Sequence, residues 1–317
     1  MIITLTANPS LDRAVTLTSE LVPGEVHRIA NDQTQPGGKG INVSNGVYQA
    51  GLETLAILPS AADDPLLALL DKVGLTYRAS KISGKVRTNI TVLGGGVTTK
   101  INEPGDVLSD AEVAAVEDAL ISAVTEGDIV MLSGSLAPGF PVDEYARLIR
   151  RLRTKKVWVG VDTSDAPLAA LAENFGDAAP DFLKPNAEEL GQLTGRDGNA
   201  LEAAAEAGDL TAVREAALAL CKLGVGEVLV TLGGAGAVLA TKDGVWYTPS
   251  QPVKVVSTVG AGDSATAGYL IASAAGLSAP ERLARAVAYG SVAVSLPGTT
   301  IPKPEQVHAD VSVVRPI

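Results

Sequence analysis

The chain has 317 residues, enough to bury a large core as one domain or two, and with 46% hydrophobic but only 3% aromatic residues that core must be filled by Ala, Val and Leu. A formal net charge of −11 with no basic run argues against non-specific nucleic-acid binding, and no apolar run reaches the about 18 residues of a membrane span. The opening MIITLTANPS lacks the basic region and cleavage pattern of a secretory leader, and the lone cysteine, Cys221, excludes an internal disulfide, so a cytoplasmic chain is expected. The two histidines, His27 and His308, lie far apart, which gives little support to a histidine-rich metal site or a Ser-His-Asp triad.

Ile2 to Thr6 reads as a buried strand that ends at the turn Asn8-Pro9-Ser10. Ligands bind at the carboxyl ends of strands in an open parallel sheet, so Asp12, just beyond, is either a hydroxyl-binding residue or a turn cap. Broken alternation at Ala14-Val15-Thr16-Leu17 and Val26-His27-Arg28-Ile29 predicts strands with one solvated face. Pro36-Gly37-Gly38-Lys39-Gly40-Ile41-Asn42-Val43 then permits close backbone approach to a ligand and opens a helix from about Gly40 to Ala50. It is not a Walker A loop, because Gln33 and Gly40 stand where Gly and Ser or Thr are required. Lys39 and Asn42 fall in the first turn of that helix. Thr54 to Leu58 is a strand and Pro65 to Lys72 a helix. Arg87 to Val92 and Val97 to Asn102 form a hairpin about Gly94-Gly95-Gly96. Segments 13–35 and 86–103 together predict a small sheet of about four strands with a polar face, lying over the site as a lid. Arg87 and Lys100 are its cations, a bidentate Arg suits a phosphate, and hairpin charges are otherwise simply solvated.

From residue 106 the pattern is regular α/β. The capping box Ser109-x-x-Glu112 opens a helix carrying Val113, Val116, Leu120 and Val124. A strand from Asp128 to Leu132 ends in Ser133-Gly134-Ser135, and a helix from Val142 to Arg153 leads to strand Val157 to Val161 and helix Ala166 to Asn174. In Lys184-Pro185-Asn186-Ala187-Glu188-Glu189, an amide and a carboxylate three residues apart meet at a helix start. That suits Mg²⁺ held through water at Glu189, or merely a capping pair. Residues 195–208, rich in Gly and Ala, are expected as a surface excursion. A helix from Leu210 to Leu223 precedes strand Glu227 to Thr231. The turn Leu232-Gly233-Gly234-Ala235-Gly236-Ala237 opens the hairpin Val238 to Tyr247, and such a loop can lie against a nucleotide.

Val256-Ser257-Thr258-Val259-Gly260-Ala261-Gly262-Asp263-Ser264 reads as a strand end, a tight turn and a helix opening at Ala261. Free N–H groups and the helix dipole make that turn an anion site. Asp263 would repel a phosphate ligand, but as a general base it could take a proton from a hydroxyl while the N–H groups hold a phosphoryl group. An acidic residue there also simply complements the dipole. Gly260, Gly262 and Ala265 loosely fit a dinucleotide fingerprint, yet a second helix, Pro280 to about Leu296, follows where a strand is required. Strands alternating with helices imply a mostly parallel sheet covered on both faces, within one domain spanning 1–317.

Taken in order, Asp12, GGKGIN at 37–42, RTNI at 87–90, NEPG at 102–105, SGS at 133–135, KPNAEE at 184–189, TLGGAG at 231–236 and STVGAGDS at 257–264 resemble the PfkB carbohydrate kinase family. The RTNI, NEPG and SGS motifs are similar to its branch of 1-phosphofructokinase and tagatose-6-phosphate kinase, rather than to ribokinase or adenosine kinase. The resemblance implies a ribokinase-like three-layer α/β/α fold with a mostly parallel central sheet and a small β-sheet lid. It implies ATP-dependent phosphorylation of a ketohexose monophosphate, with fructose 1-phosphate first and tagatose 6-phosphate or fructose 6-phosphate as alternatives. A non-catalytic sugar-phosphate sensor would not need an intact Asp263. Residue by residue, Asp263 matches the base, and the backbone of Gly260, Ala261 and Gly262 the anion hole. Asp12, Gly38 and Asn42 match the sugar site, with Lys39 in the same motif. Arg87 and Lys100, with Ser135 nearby, match the grip on the existing phosphate. Lys184, Asn186 and Glu189 match the nucleotide and Mg²⁺ region, and Thr231, Gly233 and Gly236 the ATP loop. A monovalent cation and a homodimer through the lid sheet are further implications. Two departures stand out: Leu58 to Asp64 lacks a Gly-rich turn, and position 100 holds Lys where some relatives have Arg.

Overall fold

The structure, a computed structural model, describes residues 1–317. Its strands are β1 (Ile2–Thr6), β2 (Ser10–Leu17), β3 (Ile29–Gly37), β4 (Thr54–Ser60), β5 (Tyr77–Lys81), β6 (Arg87–Gly94), β7 (Val97–Asn102), β8 (Ile129–Ser133), β9 (Trp158–Asp162), β10 (Phe182–Leu183), β11 (Glu227–Thr231), β12 (Ala237–Thr241), β13 (Gly244–Thr248) and β14 (Arg315–Pro316). The helices are α1 (Lys39–Gln49), α2 (Pro65–Val73), α3 (Asp110–Ala123), α4 (Glu144–Arg153), α5 (Asp165–Glu173), α6 (Phe175–Ala178), α7 (Ala187–Thr194), α8 (Gly198–Glu206), α9 (Thr211–Lys222), α10 (Ala261–Ala274) and α11 (Ala279–Val294). None is long and apolar enough to cross a membrane.

Ten strands form one sheet in the order β14-β13-β12-β11-β10-β9-β8-β1-β4-β5, parallel from β11 to β5 and antiparallel beyond β11. Period-two alternation splits its side chains between two helical layers. Ile3, Leu5, Val130, Leu132, Val159 and Val161 meet α3, α4, α5, α7, α8 and α9. Ile2, Met131, Phe182 and Leu229 meet α1, α10 and α11. Burial on both faces explains why these strands read as nearly unbroken apolar runs, and each fully buried Leu, Ile or Val contributes about 1.5–3 kcal/mol. Cys221 lies half-buried on α9 against this core.

The parallel register has a direct consequence for function. Thr6, Ser133 and Asp162 are cross-strand partners, and Leu183 pairs with Val161, so Lys184 follows beside Asp162. Four strands therefore deliver their last residues to one rim.

The small sheet has the order β3-β2-β6-β7, with β2 and β6 parallel. Its register lines up Gln35, Asp12, Asn89 and Asn102 in one row across all four strands, and Gln33, Ala14, Thr91 and Lys100 in the next row on the same face. Alternation sends Val97 and Ile101 of β7 to the opposite face, where both are exposed.

Several sequence expectations need correction. The second strand of the small sheet begins at Ile29 and runs through polar residues to Gly37, while Val26 is 94% exposed. Pairing with β2, not hydrophobicity, defines it. Residues 198–206 form α8 rather than a surface excursion. Asp197 caps it through the N–H groups of Asn199 and Ala200, and Leu201 and Ala205 are buried. No strand precedes the turn at Gly260: the N–H groups of Val256 and Ser257 go to the carbonyl of Val294, so this β-branched run satisfies the end of α11. Strands β5, β10 and β14 went unread: β10 and β14 have two residues each, and β5, at a sheet edge, carries Arg78, Ser80 and Lys81.

Candidate active site

Gly260, immediately before α10, has a φ of 79°, left-handed backbone that favours glycine. No side chain caps the helix, so its first-turn N–H groups face outward with the positive end of the dipole. α1 crosses α10 closely, because a Cβ on Gly46 would lie only 2.6 Å from that of Ala267. That approach brings the first turn of α1, with Lys39 and Asn42, against the first turn of α10, with Asp263.

The result is a buried charge cluster. Asn42 Nδ2 donates to Asp263 Oδ2 at 2.8 Å, and Lys39 Nζ lies 3.8 Å from Asp263 Oδ1. Lys39 Nζ also donates to Asp162 Oδ1 at 3.2 Å. Lys184 Nζ sits 3.2 Å from Asp162 Oδ2, near enough for attraction but without hydrogen-bond alignment. Gly262 leaves room for that ammonium, since a Cβ there would be 3.3 Å from Lys184 Nζ. Burial pushes the Asp263 carboxyl above its ordinary range, and the nearby Asp162 charge adds to this against the pull of Lys39. Burial acts the same way on Asp162, but Lys184 and Lys39 outweigh it and hold Asp162 below the usual range. Asp162 in turn raises the Lys39 ammonium despite its desolvation. The cluster is thus a proton acceptor set beside two fixed cations.

Two cavities open on either side of the turn 258–262. The larger, about 620 Å³, is lined by Asn186, Thr231, Gly233, Gly236, Ala261 and Gly262, with Val255, Val287 and Val294 on another wall. The smaller, about 140 Å³, is lined by Asp12, Gln35, Asn89, Lys100, Asn102, Val259 and Thr299. In the smaller one, Ser10 Oγ and Asn89 Nδ2 donate to Asp12 Oδ1 at 2.7 and 3.2 Å. A Cβ on Gly37 would stand 2.3 Å from the Asp12 carboxylate carbon, so any side chain there would displace that carboxylate. Arg87 is half-buried. Its Nη1 reaches the Glu103 carbonyl at 3.3 Å, its Nε has no partner, and burial lowers its pKa although Asp12 opposes that. Lys100 stands exposed at the rim. Ser135 Oγ lies 3.4 Å from Asn8 Nδ2, and Gly38, at φ 113°, starts α1 beside Thr6. Thr299 Oγ1 donates to Gln35 Oε1 at 3.0 Å, which ties the turn after α11 to the small sheet.

At α7, Asn186 Oδ1 accepts from the Glu189 N–H at 2.8 Å, and Glu189 Oε2 accepts from the Asn186 N–H at 2.9 Å. The capping reading is therefore realised. No cluster of His, Cys, Asp or Glu could hold a metal directly. Glu189 nevertheless has a raised pKa, chiefly from burial and in part from Asp162, while Lys184 opposes the rise. One oxygen is spent on the cap, and the desolvated carboxylate fits a cation held through water. Segment 58–64 has a structural use: Asp64 caps α2 through the Leu66 N–H and accepts from Val86 N–H, just before β6.

Four residues were missed in the sequence: Asp162, Gln35, Asn89 and Asn102. Asp162 carried a signal, being acidic at the end of an apolar parallel strand. The other three depend on a register that only pairing reveals.

The pfkB family carbohydrate kinase pattern matches residues 6–306. The 1-phosphofructokinase of Xanthomonas campestris pv. campestris is 34% identical over 274 residues, covering 85% of this chain and 83% of that one. The 1-phosphofructokinase of Haloferax volcanii is 33% identical over 322 residues, covering 99% of each. Among solved structures, phosphofructokinase-2 from Escherichia coli in complex with substrates and products superposes with a TM-score of 0.86 at 29% identity, covering 96% of both chains. The same enzyme solved with potassium gives 0.85 at 28% identity and 96% coverage of both.

Proposed function

The chain belongs to the pfkB family of carbohydrate kinases, and on that premise we propose that it transfers the γ-phosphoryl group of ATP to the C6 hydroxyl of fructose 1-phosphate, giving fructose 1,6-bisphosphate and ADP. The observation that carries this reading is Asp263: a buried carboxylate with a raised pKa, in the first turn of α10, next in sequence to Gly262 on the wall of a nucleotide-sized cavity. The sugar hydroxyl gives its proton to Asp263 as its oxygen bonds to the γ-phosphorus. The bond from that phosphorus to the β,γ-bridging oxygen breaks, and the electron pair leaves with ADP. The N–H groups of Gly260, Ala261 and Gly262, with Lys39, hold the charge on the group in flight. Lys184, Asn186, Thr231, Gly233 and Gly236 bind ATP. Glu189, through water, would hold Mg²⁺, which when bound neutralises phosphate charge. Asp12, Gly38 and Asn42 take the sugar hydroxyls, while Arg87, Lys100 and Ser135 grip the existing phosphate. Asp162 positions Lys39 and Lys184. The small sheet acts as a lid that excludes water.

The exposed Val97 and Ile101 support pairing of two copies through the small sheet, which sedimentation of a Val97→Asp, Ile101→Asp variant tests by the loss of a dimer. The potassium complex of the structural relative supports a monovalent-cation effect, checked by comparing turnover in potassium and in tetramethylammonium salts.

The deciding experiment measures ADP release with Mg-ATP and compares kcat/KM for fructose 1-phosphate, fructose 6-phosphate and tagatose 6-phosphate. Preference for fructose 1-phosphate is expected. Preference for a 6-phosphate would keep the base and anion hole but reverse the sugar in its pocket. Saturable ligand binding without turnover would instead indicate a sensor.

A further inference from the structure

Two carboxylates that the phosphoryl-transfer chemistry does not use line the larger cavity, the exposed Glu188 and the half-buried Glu202. Glu202 lines it from α8, one residue after the buried Leu201. α8 is held firmly on α7, because a Cβ on Gly198 would strike the Glu188 backbone at 2.5 Å. Glu202 Oε1 lies 2.8 Å from where a Cβ on Gly233 would stand, so the glycine loop leaves the space this carboxylate occupies. No lysine or arginine lines the cavity to neutralise it.

An ionised carboxylate is an acceptor only, and it repels phosphates. The phosphate end of the cavity is fixed by Ala261, Gly262 and the Lys184 ammonium. A carboxylate at this place suits an uncharged part of a nucleotide rather than its phosphates. Val253, Val255, Ala286, Val287 and Val294 form an apolar wall suited to a flat base. Glu202 stands with the polar residues Asn186 and Thr231 and the glycine loop, and its two oxygens match the vicinal hydroxyl donors of a ribose.

We propose that Glu202 is a specificity-determining residue that accepts hydrogen bonds from the ribose hydroxyls of the phosphoryl donor. This rests on the reading of the larger cavity as the nucleotide site. The test measures KM and kcat for ATP, 2′-deoxy-ATP and purine riboside triphosphate, which lacks the 6-amino group. It uses the wild type, Glu202→Ala and Glu202→Gln at saturating fructose 1-phosphate. In the wild type, the KM for 2′-deoxy-ATP should exceed that for ATP by about tenfold or more, the cost of a lost charge-assisted hydrogen bond. Glu202→Ala should bring the two KM values together by raising that for ATP, with kcat within about twofold and the sugar KM unchanged. Glu202→Gln keeps one acceptor oxygen and should retain part of the difference, whereas a Glu202→Ala variant that retains the wild-type ratio overturns the assignment. So do variants that lower KM for all three nucleotides alike, since the carboxylate then acts through charge alone. A collapse of the difference between ATP and purine riboside triphosphate would move Glu202 to the base and also overturn it. A wild type that turns over no ATP removes the kinase reading itself, an outcome distinct from these. Matching thermal melts exclude misfolding as the cause.

Discussion

The rim of the large sheet and the face of the small sheet hold their polar residues in opposite ways. At the rim, Asp162, Lys184 and Asp263 are nearly inaccessible and are fixed by strands or helices buried on both sides. On the small sheet, Arg87 is half-buried, Lys100 is exposed, and the row from Gln35 to Asn102 has only one covered face. A group whose proton affinity must be tuned needs desolvation and fixed neighbours, and the rim supplies both for Asp263. A group that grips a soluble, already charged substrate must first be reachable. Substitutions at the rim should therefore reduce kcat, and those on the small sheet should raise the sugar KM.

The sharpest break of this contrast would come at Asp263. Asp263→Asn keeps the shape and removes the proton acceptor, so kcat should fall by about 10³-fold while the sugar KM changes little. Loss of stability is not the cause to expect. An acid whose folded pKa is raised gives its stabilising contribution below its unfolded pKa, and that contribution is lost as pH rises through the folded value. A neutral amide escapes that loss, so the melting temperature at pH 8 should not drop. A variant with near wild-type kcat would end the base assignment.

Asp162 tests whether the rim works as a unit. Asp162→Asn leaves Lys39 and Lys184 without their shared anchor, and kcat should fall on the order of 10²-fold, the cost of misplaced groups. A pH profile separates this from mere loosening. Asp263 must be ionised, so activity falls as pH drops through its pKa. Asp162 helps to raise that pKa, and removing its charge should shift the acid limb of kcat to lower pH. An unmoved limb would leave Asp162 a purely structural role.

The same contrast explains what could be read from the chain. The central strands of the large sheet are mostly apolar, so β1, β8 and β11 were legible. β3 escaped because its residues between Ala30 and Gly37 are polar or Pro and only its partner makes it a strand. Asn89 was visible within a motif yet had no assigned task, since its place beside Asp12 follows from a parallel register between strands far apart in sequence. The strand end expected at Val256 misled in the other direction: β-branched residues can line a cavity, as Val255 does, or satisfy a helix end, as Val256 does, as well as pair in a sheet.

On the small sheet the effects should be smaller and confined to binding. Arg87→Ala should raise the sugar KM roughly 10–100-fold with kcat little changed, the range for a charge-assisted hydrogen bond to phosphate. Gly37→Ala acts without touching charge. Its Cβ would displace the Asp12 carboxylate, and a KM increase of about tenfold is expected.

Lys100 sets the lower end of the scale. It is exposed, on the row beyond Asn89. Exposed charge pairs contribute at most about 1 kcal/mol, so Lys100→Ala should raise the sugar KM by no more than about fivefold, and added salt should erase most of the difference. Lys100→Arg adds a planar fork where a single ammonium stands, and should lower KM slightly if this position meets the phosphate. A large, salt-independent loss in Lys100→Ala would mean that the small sheet closes far enough to bury this cation, and the division between a fixed rim and an open face would then hold only before the substrate arrives.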